Sequence, residues 1–127
     1  MIKAIEHIAI VAADPPSLAR WYCDTLGFET AHAFDEDRTY FLRLPEGGIL
    51  EILPSNDRTP VDHAGDDAGI RHIALKVEDF QAARQTLEDR GVTFVGPSHQ
   101  SPAGTRFDFF PDPEGNLLQL VYRPQPL

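Results

Sequence analysis

An α+β fold made of two tandem βαβββ modules follows from three observations. A phrase returns halfway along the chain, a capped helical pattern follows each copy, and both halves close on a second shared phrase. Glu6-His7-Ile8-Ala9-Ile10-Val11 comes back as Arg71-His72-Ile73-Ala74-Leu75-Lys76, with His-Ile-Ala identical and the two histidines offset by 65 positions. Asp14 and Asp79 stand at the same offset, each just ahead of a helical pattern that runs into a glycine, Gly27 or Gly91. The closing phrases Pro45-Glu46-Gly47 and Pro113-Glu114-Gly115, each leading into an apolar strand, are 68 residues apart, so three residues are gained or lost between them.

The elements of the first half follow from local chemistry. Residues 5–12 alternate β-branched and smaller side chains and predict a strand. Asp14 caps the helix that follows, and Pro15 and Pro16 fit its first turn, where backbone N–H groups have no helical partner. Leu18, Trp21, Tyr22 and Leu26 recur at helical spacing and form its core stripe, so both aromatics are expected in the core. Gly27 ends the helix by adopting a left-handed conformation at low cost. Strands are predicted over 28–34, 38–44 and 49–53, separated by the charged turn Asp35-Glu36-Asp37 and by Pro45–Gly48.

Module 1 therefore spans about 5–53, an acidic linker covers 54–69, and module 2 runs over about 70–122, all within one domain, 1–127. In module 2 the spacing predicts a strand over 70–77 and a helix begun by Glu78-Asp79 with the stripe Phe80, Ala83, Leu87. A strand is predicted over 92–95, ended by Gly96-Pro97, then a loop from His99 to Gly104, and strands over 105–110 and 117–122. His63 in the linker and His99 in the loop are read as solvated.

Alternation in strands assigns faces. Side chains switch sides with period two, so Ile8 and Ile10 oppose His7, Ala9 and Val11, while Leu50 and Ile52 oppose Glu51. The second module repeats this with Ile73 and Leu75 against His72 and Ala74, and Leu118 and Leu120 against Gln119. One face of each strand suits packing on a helix, and the other carries a single polar or metal-capable group. His7 with His72 and Glu51 with Gln119 form the pattern of a pseudo-symmetric site. A carboxylate flanked by Ile49, Leu50, Ile52 and Leu53 needs a partner or a metal. Phe41, Arg43, Phe107 and Phe109, or their opposite-face neighbours Tyr40, Arg106 and Asp108, are candidates for pocket walls, and Arg43 for a carboxylate clamp.

Composition excludes several partners. A net charge of −9 offers no basic footprint for nucleic acid or an anionic membrane. The one cysteine, Cys23, cannot form an internal disulfide and reads as a small apolar residue on a helix, which suits a reducing, cytoplasmic setting. No apolar run reaches the length of a membrane span.

The duplicated order of elements, the opening His7-Ile8-Ala9, the helix end Tyr22-Cys23-Asp24-Thr25-Leu26-Gly27-Phe28 and the turn Asp112-Pro113-Glu114-Gly115-Asn116 together resemble the vicinal oxygen chelate superfamily. This is the glyoxalase, bleomycin-resistance and extradiol-dioxygenase group, and the resemblance runs from about Ile5 to Tyr122. It implies that the modules form an open, cup-like mixed β-barrel around one divalent metal ion (Zn, Ni, Co, Mn or Fe), held by His7, Glu51, His72 and Gln119. It also implies a homodimer and a small-molecule substrate. Many members have glutamate at the last position, so Gln119 is a departure. An amide oxygen can still ligate, but a carboxylate base is lost there, and the dioxygenase pattern of a carboxylate on the final strand is not matched.

The activity so implied is a glyoxalase-like lyase or isomerase reaction through a metal-stabilised enediolate, with Glu51 as catalytic base and Phe41, Arg43, Arg106, Phe107 and Phe109 as substrate-binding residues. The alternatives are a non-catalytic, bleomycin-resistance-like binding protein and an extradiol-type dioxygenase. A purely structural arrangement, with core histidines and Glu51 paired to Arg43, also satisfies the pattern.

Overall fold

Each half of the chain folds as a four-stranded mixed sheet with one helix, in a computed structural model that describes residues 1–56 and 68–127. The halves are two compact units, Met1–Thr59 and Pro60–Leu127. Most of the acidic linker, His63 included, lies outside the described residues.

In the first unit β1 (Ile8–Ala12), α1 (Pro15–Leu26), β2 (Glu29–Phe34), β3 (Thr39–Arg43) and β4 (Ile49–Pro54) give the sheet order β1-β4-β3-β2. β1 and β4 are parallel, and the other neighbours are antiparallel. A parallel pair needs a long crossover, which α1, β2 and β3 supply. The expected alternation holds: Ile10, Ala12, Leu42, Leu50 and Ile52 are buried, and α1 packs on β1, β3 and β4.

α1 begins as predicted, with Asp14 accepting a hydrogen bond from the Ser17 N–H at 3.3 Å and prolines at its first two positions. Gly27, at φ +79, closes it by donating to the Cys23 carbonyl. Leu18 and Tyr22 are fully buried, each contributing about 1.5–3 kcal/mol of apolar burial. Tyr22 stands edge-on to Phe28 and to Trp21, which is only half-buried.

The second unit contains β5 (Ile73–Lys76), α2 (Phe80–Asp89), β6 (Val95–Gln100), β7 (Arg106–Pro111) and β8 (Leu117–Tyr122), in the order β5-β8-β7-β6. Its core gathers Phe80, Leu87, Val92, Phe110, Leu118, Leu120 and Val121. Asp79 caps α2 by accepting from the Ala82 N–H at 3.0 Å.

Three elements depart from expectation by more than one residue. β1 and β5 start later than residues 5 and 70, so His7 and His72 each stand immediately before a strand. The strand expected over 92–95 and the loop expected from His99 are replaced by β6, which runs through Gly96 and Pro97. The cause is a bulge: Val95 pairs with Phe109 and His99 with Phe107, so four steps on β6 match two on β7. A proline without an N–H is tolerated where the ladder is already interrupted.

Both β-hairpins that set the register of the final strands share a turn. Leu44 N–H donates to Gly48 O and Gly47 N–H to Leu44 O, while Asp112 N–H donates to Asn116 O and Gly115 N–H to Asp112 O. The second turn adds a side-chain clamp. Buried Asp112 accepts from the Glu114 and Asn116 N–H groups and from the Asn116 amide, all within 2.9 Å.

Candidate metal centre

Strand register builds the polar group of the first unit. Ala9 lies opposite Glu51 in the parallel β1–β4 pair, and His7, two residues before Ala9, falls on the same face. His7 Nε2 is 3.2 Å from Glu51 Oε2. Alanine at the paired position leaves both side chains room to meet. Glu51 is the more enclosed, with 22% of its side chain exposed against 36% for His7. Phe41 lies opposite Glu51 on β3 and turns its ring edge to His7, with centroids 6.0 Å apart. The Glu6 carboxylate meets His7 Nδ1. That hydrogen bond raises the imidazole above its usual 6.5, against a smaller effect of desolvation, and the charges of Glu6 and Glu51 add to the rise.

The second unit repeats the plan with different charges. Ala74 lies opposite Gln119, Phe109 lies opposite Gln119 on β7, and the His72 ring stands edge-on to Phe109 at 5.2 Å. In the slot of Glu6 is Arg71. Its Nη1 is 3.4 Å from His72 Nδ1, and its guanidinium carbon lies 5.0 Å from the Phe109 centroid. Burial lowers the His72 ring below 6.5, and the Arg71 charge lowers it further.

The wall candidates separate cleanly. Phe41 is on the His7–Glu51 face, and Phe107 and Phe109 are on the His72–Gln119 face. Arg43 shares the face of Phe41 but is exposed, with its Nε 3.7 Å from the Glu29 carboxylate. Glu51 therefore meets His7, and Arg43 meets Glu29. Arg106 is on the opposite side of its sheet, over the Phe80 ring of α2 at 4.6 Å and 3.4 Å from Gln81 Oε1.

Asp108 shares that helix side and is buried, accepting from Arg84 Nε at 2.6 Å, Ser98 Oγ at 2.6 Å and the His99 N–H at 3.3 Å. His99, expected in a solvated loop, instead stacks flat on Phe107 at 4.5 Å, and its Nδ1 is buried without a hydrogen-bond partner. Sequence reading missed Arg71 and His99. The available signal for Arg71 was the reversal of charge between Glu6 and Arg71 in an otherwise repeated phrase.

The donor chemistry fits a divalent ion. Two donors about 2.1 Å from a shared ion and about 90–110° apart lie about 3.0–3.4 Å from each other, which brackets the His7–Glu51 separation of 3.2 Å. Each unit offers two donors, His7 with Glu51 and His72 with Gln119. Among the described residues, no group of three or more His, Cys, Asp or Glu side chains is gathered at one point. An imidazole with a carboxylate, as in the first unit, is donor chemistry that suits the borderline divalent metals.

The sequence matches the model of the Glyoxalase/Bleomycin resistance protein/Dioxygenase superfamily over residues 4–120, and the chain belongs to that superfamily. It is 32% identical over 125 residues to the uncharacterized protein YwkD of Bacillus subtilis, covering 94% of this chain and 97% of that protein. It is also 32% identical over 103 residues to the ethylmalonyl-CoA/methylmalonyl-CoA epimerase of Cereibacter sphaeroides, covering 76% and 77% of the two chains. Among solved structures, the glyoxalase family protein from Enterococcus faecalis superposes with a TM-score of 0.78 at 28% identity, over 94% of this chain and 97% of that one. Members of the superfamily commonly bind a divalent metal. No described helix is long and apolar enough to cross a membrane.

Proposed function

We propose that the chain is a divalent-metal-dependent lyase or isomerase of the glyoxalase kind, acting on a small substrate with two adjacent oxygens. His7, Glu51, His72 and Gln119 are the ligands of the ion, and Glu51 is also the base. The observation that carries this reading is the 3.2 Å approach of His7 Nε2 to Glu51 Oε2 on paired strands, with His72 and Gln119 at the repeat-equivalent positions. The chemistry that such an ion supplies when bound is Lewis acidity toward a carbonyl oxygen, worth several kcal/mol.

The residues of the chain do the rest. Glu51 removes the proton from the carbon beside the carbonyl and returns it. Gln119 is neutral and cannot take a proton, so removal and return both fall to the Glu51 side. That favours a one-base transfer between the two oxygen-bearing carbons, in which the proton leaves one carbon and is delivered to its neighbour on the same face of the substrate, since return to the same carbon on that face would change nothing. Phe41, Phe107 and Phe109 supply apolar walls that limit water around the carboxylate, and Arg43 is the cation of the first unit's face. Likeness to the Cereibacter sphaeroides epimerase supports an isomerase. A cytoplasmic homodimer completes the reading.

Elemental analysis of untagged protein purified without added metal tests it, beside His7→Ala and Glu51→Gln. The expected result is about one divalent ion per chain, depleted in His7→Ala. Glu51→Gln retains at least part of the metal and loses exchange of the substrate's α-proton with D2O, followed by NMR across α-ketoaldehyde thioadducts and epimerisable thioesters. A parent protein that is empty and refuses Zn²⁺, Ni²⁺ and Mn²⁺ refutes the reading.

A further inference from the structure

We propose that His99 is a substrate-binding residue, whose Nε2–H donates a hydrogen bond to an oxygen that the substrate carries on an apolar or aromatic body, beyond its two chelating oxygens. The inference rests on the reading of the His72–Gln119 face as part of the site and adds to it a recognition group that is not a metal ligand.

Strand register fixes the position. His99 on β6 pairs with Phe107 on β7, and directly paired residues point to the same side of a sheet. Phe109, two residues beyond Phe107, pairs with Gln119, so His99 stands on the face of Gln119. The bulge in β6 brings it there, because an uninterrupted ladder from the Val95–Phe109 pair would set Pro97 opposite Phe107. The rings on this face are continuous. His99 lies flat on Phe107 at 4.5 Å, and Phe109 stands edge-on to His99 at 6.4 Å and to His72 at 5.2 Å. The two imidazoles are therefore one aromatic ring apart.

The state of its two nitrogens defines what the ring offers. Among the described residues neither nitrogen has a hydrogen-bond partner: Nδ1 is buried, and Nε2 is the one open to solvent. A buried N–H without an acceptor is rarer than a bare lone pair, which places the proton of the neutral ring on Nε2. The backbone N–H of His99 is held by Asp108 and the ring by Phe107, so the donor has a fixed direction. With its lone-pair nitrogen closed off, the ring selects an acceptor atom.

The first unit provides the contrast. Phe34 pairs with Thr39, two residues before Phe41, as His99 pairs with Phe107, two residues before Phe109. Both units thus keep a ring at this place, and only the second has nitrogen in it. Phenylalanine would satisfy the stack and would leave no unpartnered Nδ1. What the imidazole adds is the accessible donor.

Acetyl and isopropenyl groups have nearly the same shape and differ in a carbonyl oxygen. Benzohydroxamates that carry one or the other at the meta or para position chelate through the same pair of oxygens, and calorimetric titration into the Zn²⁺-loaded protein separates chelation from recognition by His99. At least one acetyl probe is expected to bind about tenfold more tightly than its isopropenyl twin. His99→Phe, which keeps the stack on Phe107, is expected to bring that ratio to one. In metal-free protein, long-range proton–nitrogen NMR correlations of the His99 ring are expected to show the Nε2–H tautomer. Equal binding within both pairs by the parent protein, a preference that survives His99→Phe, or an Nδ1–H tautomer overturns this inference alone. Failure of the parent to bind any of the probes overturns the metal-site reading and this inference with it.

Discussion

Replacing Asp108 with alanine is expected to be the most destabilising single truncation of a charged side chain in the second unit. Its side chain is 3% exposed and holds together three parts of that unit: Arg84 on α2, Ser98 on β6 and the backbone N–H of His99. Breaking a buried ion pair by removing one partner costs about 3–5 kcal/mol, because the other charge is left unpaired. Arg84 offsets part of that cost. It is 27% exposed, keeps Glu88 at 2.5 Å and remains over the Phe94 ring at 4.5 Å.

The lower end, about 3 kcal/mol, is therefore expected. For a chain of this length it corresponds to a fall in Tm on the order of 10 °C. Urea denaturation followed by circular dichroism at pH 7 measures it. Asp108→Asn keeps the volume and one acceptor oxygen and is expected to lose about half as much. The double change Arg84→Met with Asp108→Leu is expected to recover the ion-pair part of the loss, since both charges leave together, but not the part due to Ser98 Oγ and the His99 N–H, which still lose their acceptor. A loss below about 1 kcal/mol for Asp108→Ala would mean that water replaces the carboxylate freely, and the reasoning from burial would fail.

The histidines at the proposed site are expected to titrate in opposite directions in metal-free protein. By NMR, His7 should titrate above 6.5 because of its hydrogen bond to Glu6, and His72 below 6.5 because of burial and then Arg71. Charged His7 then contributes stability that is full below its unfolded value and is lost as pH rises through its folded value, whereas His72 penalises the fold as pH falls below 6.5. The reverse order of titration refutes the assignment of Glu6 and Arg71 as their respective partners. His99→Phe keeps the stack on Phe107 and removes the unpartnered Nδ1, so it is expected to be neutral or stabilising by about 0.5–1 kcal/mol in the same denaturation assay, and a loss above that size refutes it.

The parts of the fold that were legible in the sequence are those where local chemistry and the duplication agree. Asp14, Pro15 and Gly27 delimit α1 because caps act within one turn. The alternation that buries Leu50 and Ile52 leaves Glu51 on the other face, and the same holds for Gln119 between Leu118 and Leu120. β6 was misread because Gly96 and Pro97 end a regular strand, and only the pairing with β7 reveals that a bulge accommodates them. The two faces of β7 were distinguished by period two, but that period does not say which face a helix will cover. Phe80 and Arg84 of α2 decide it, and they place Arg106 and Asp108 on the side away from Gln119. Arg71 lies before its strand, where no alternation applies.

The side-chain clamp of the Asp112–Asn116 turn has a consequence for the order of events in folding. Both hairpins close with the same two backbone hydrogen bonds, but the first has Leu44 where the second has Asp112. The β7–β8 hairpin can therefore assemble from contacts close in sequence before its sheet is complete, and local contacts of that kind form fastest. The β3–β4 hairpin lacks that clamp and relies more on packing against α1. The half that carries Gln119 is thus a ready template onto which β5 and β6 add, and amide exchange should be slowest around β7 and β8. Two copies of one ancestral plan would then have diverged in kinetics as well as in charge.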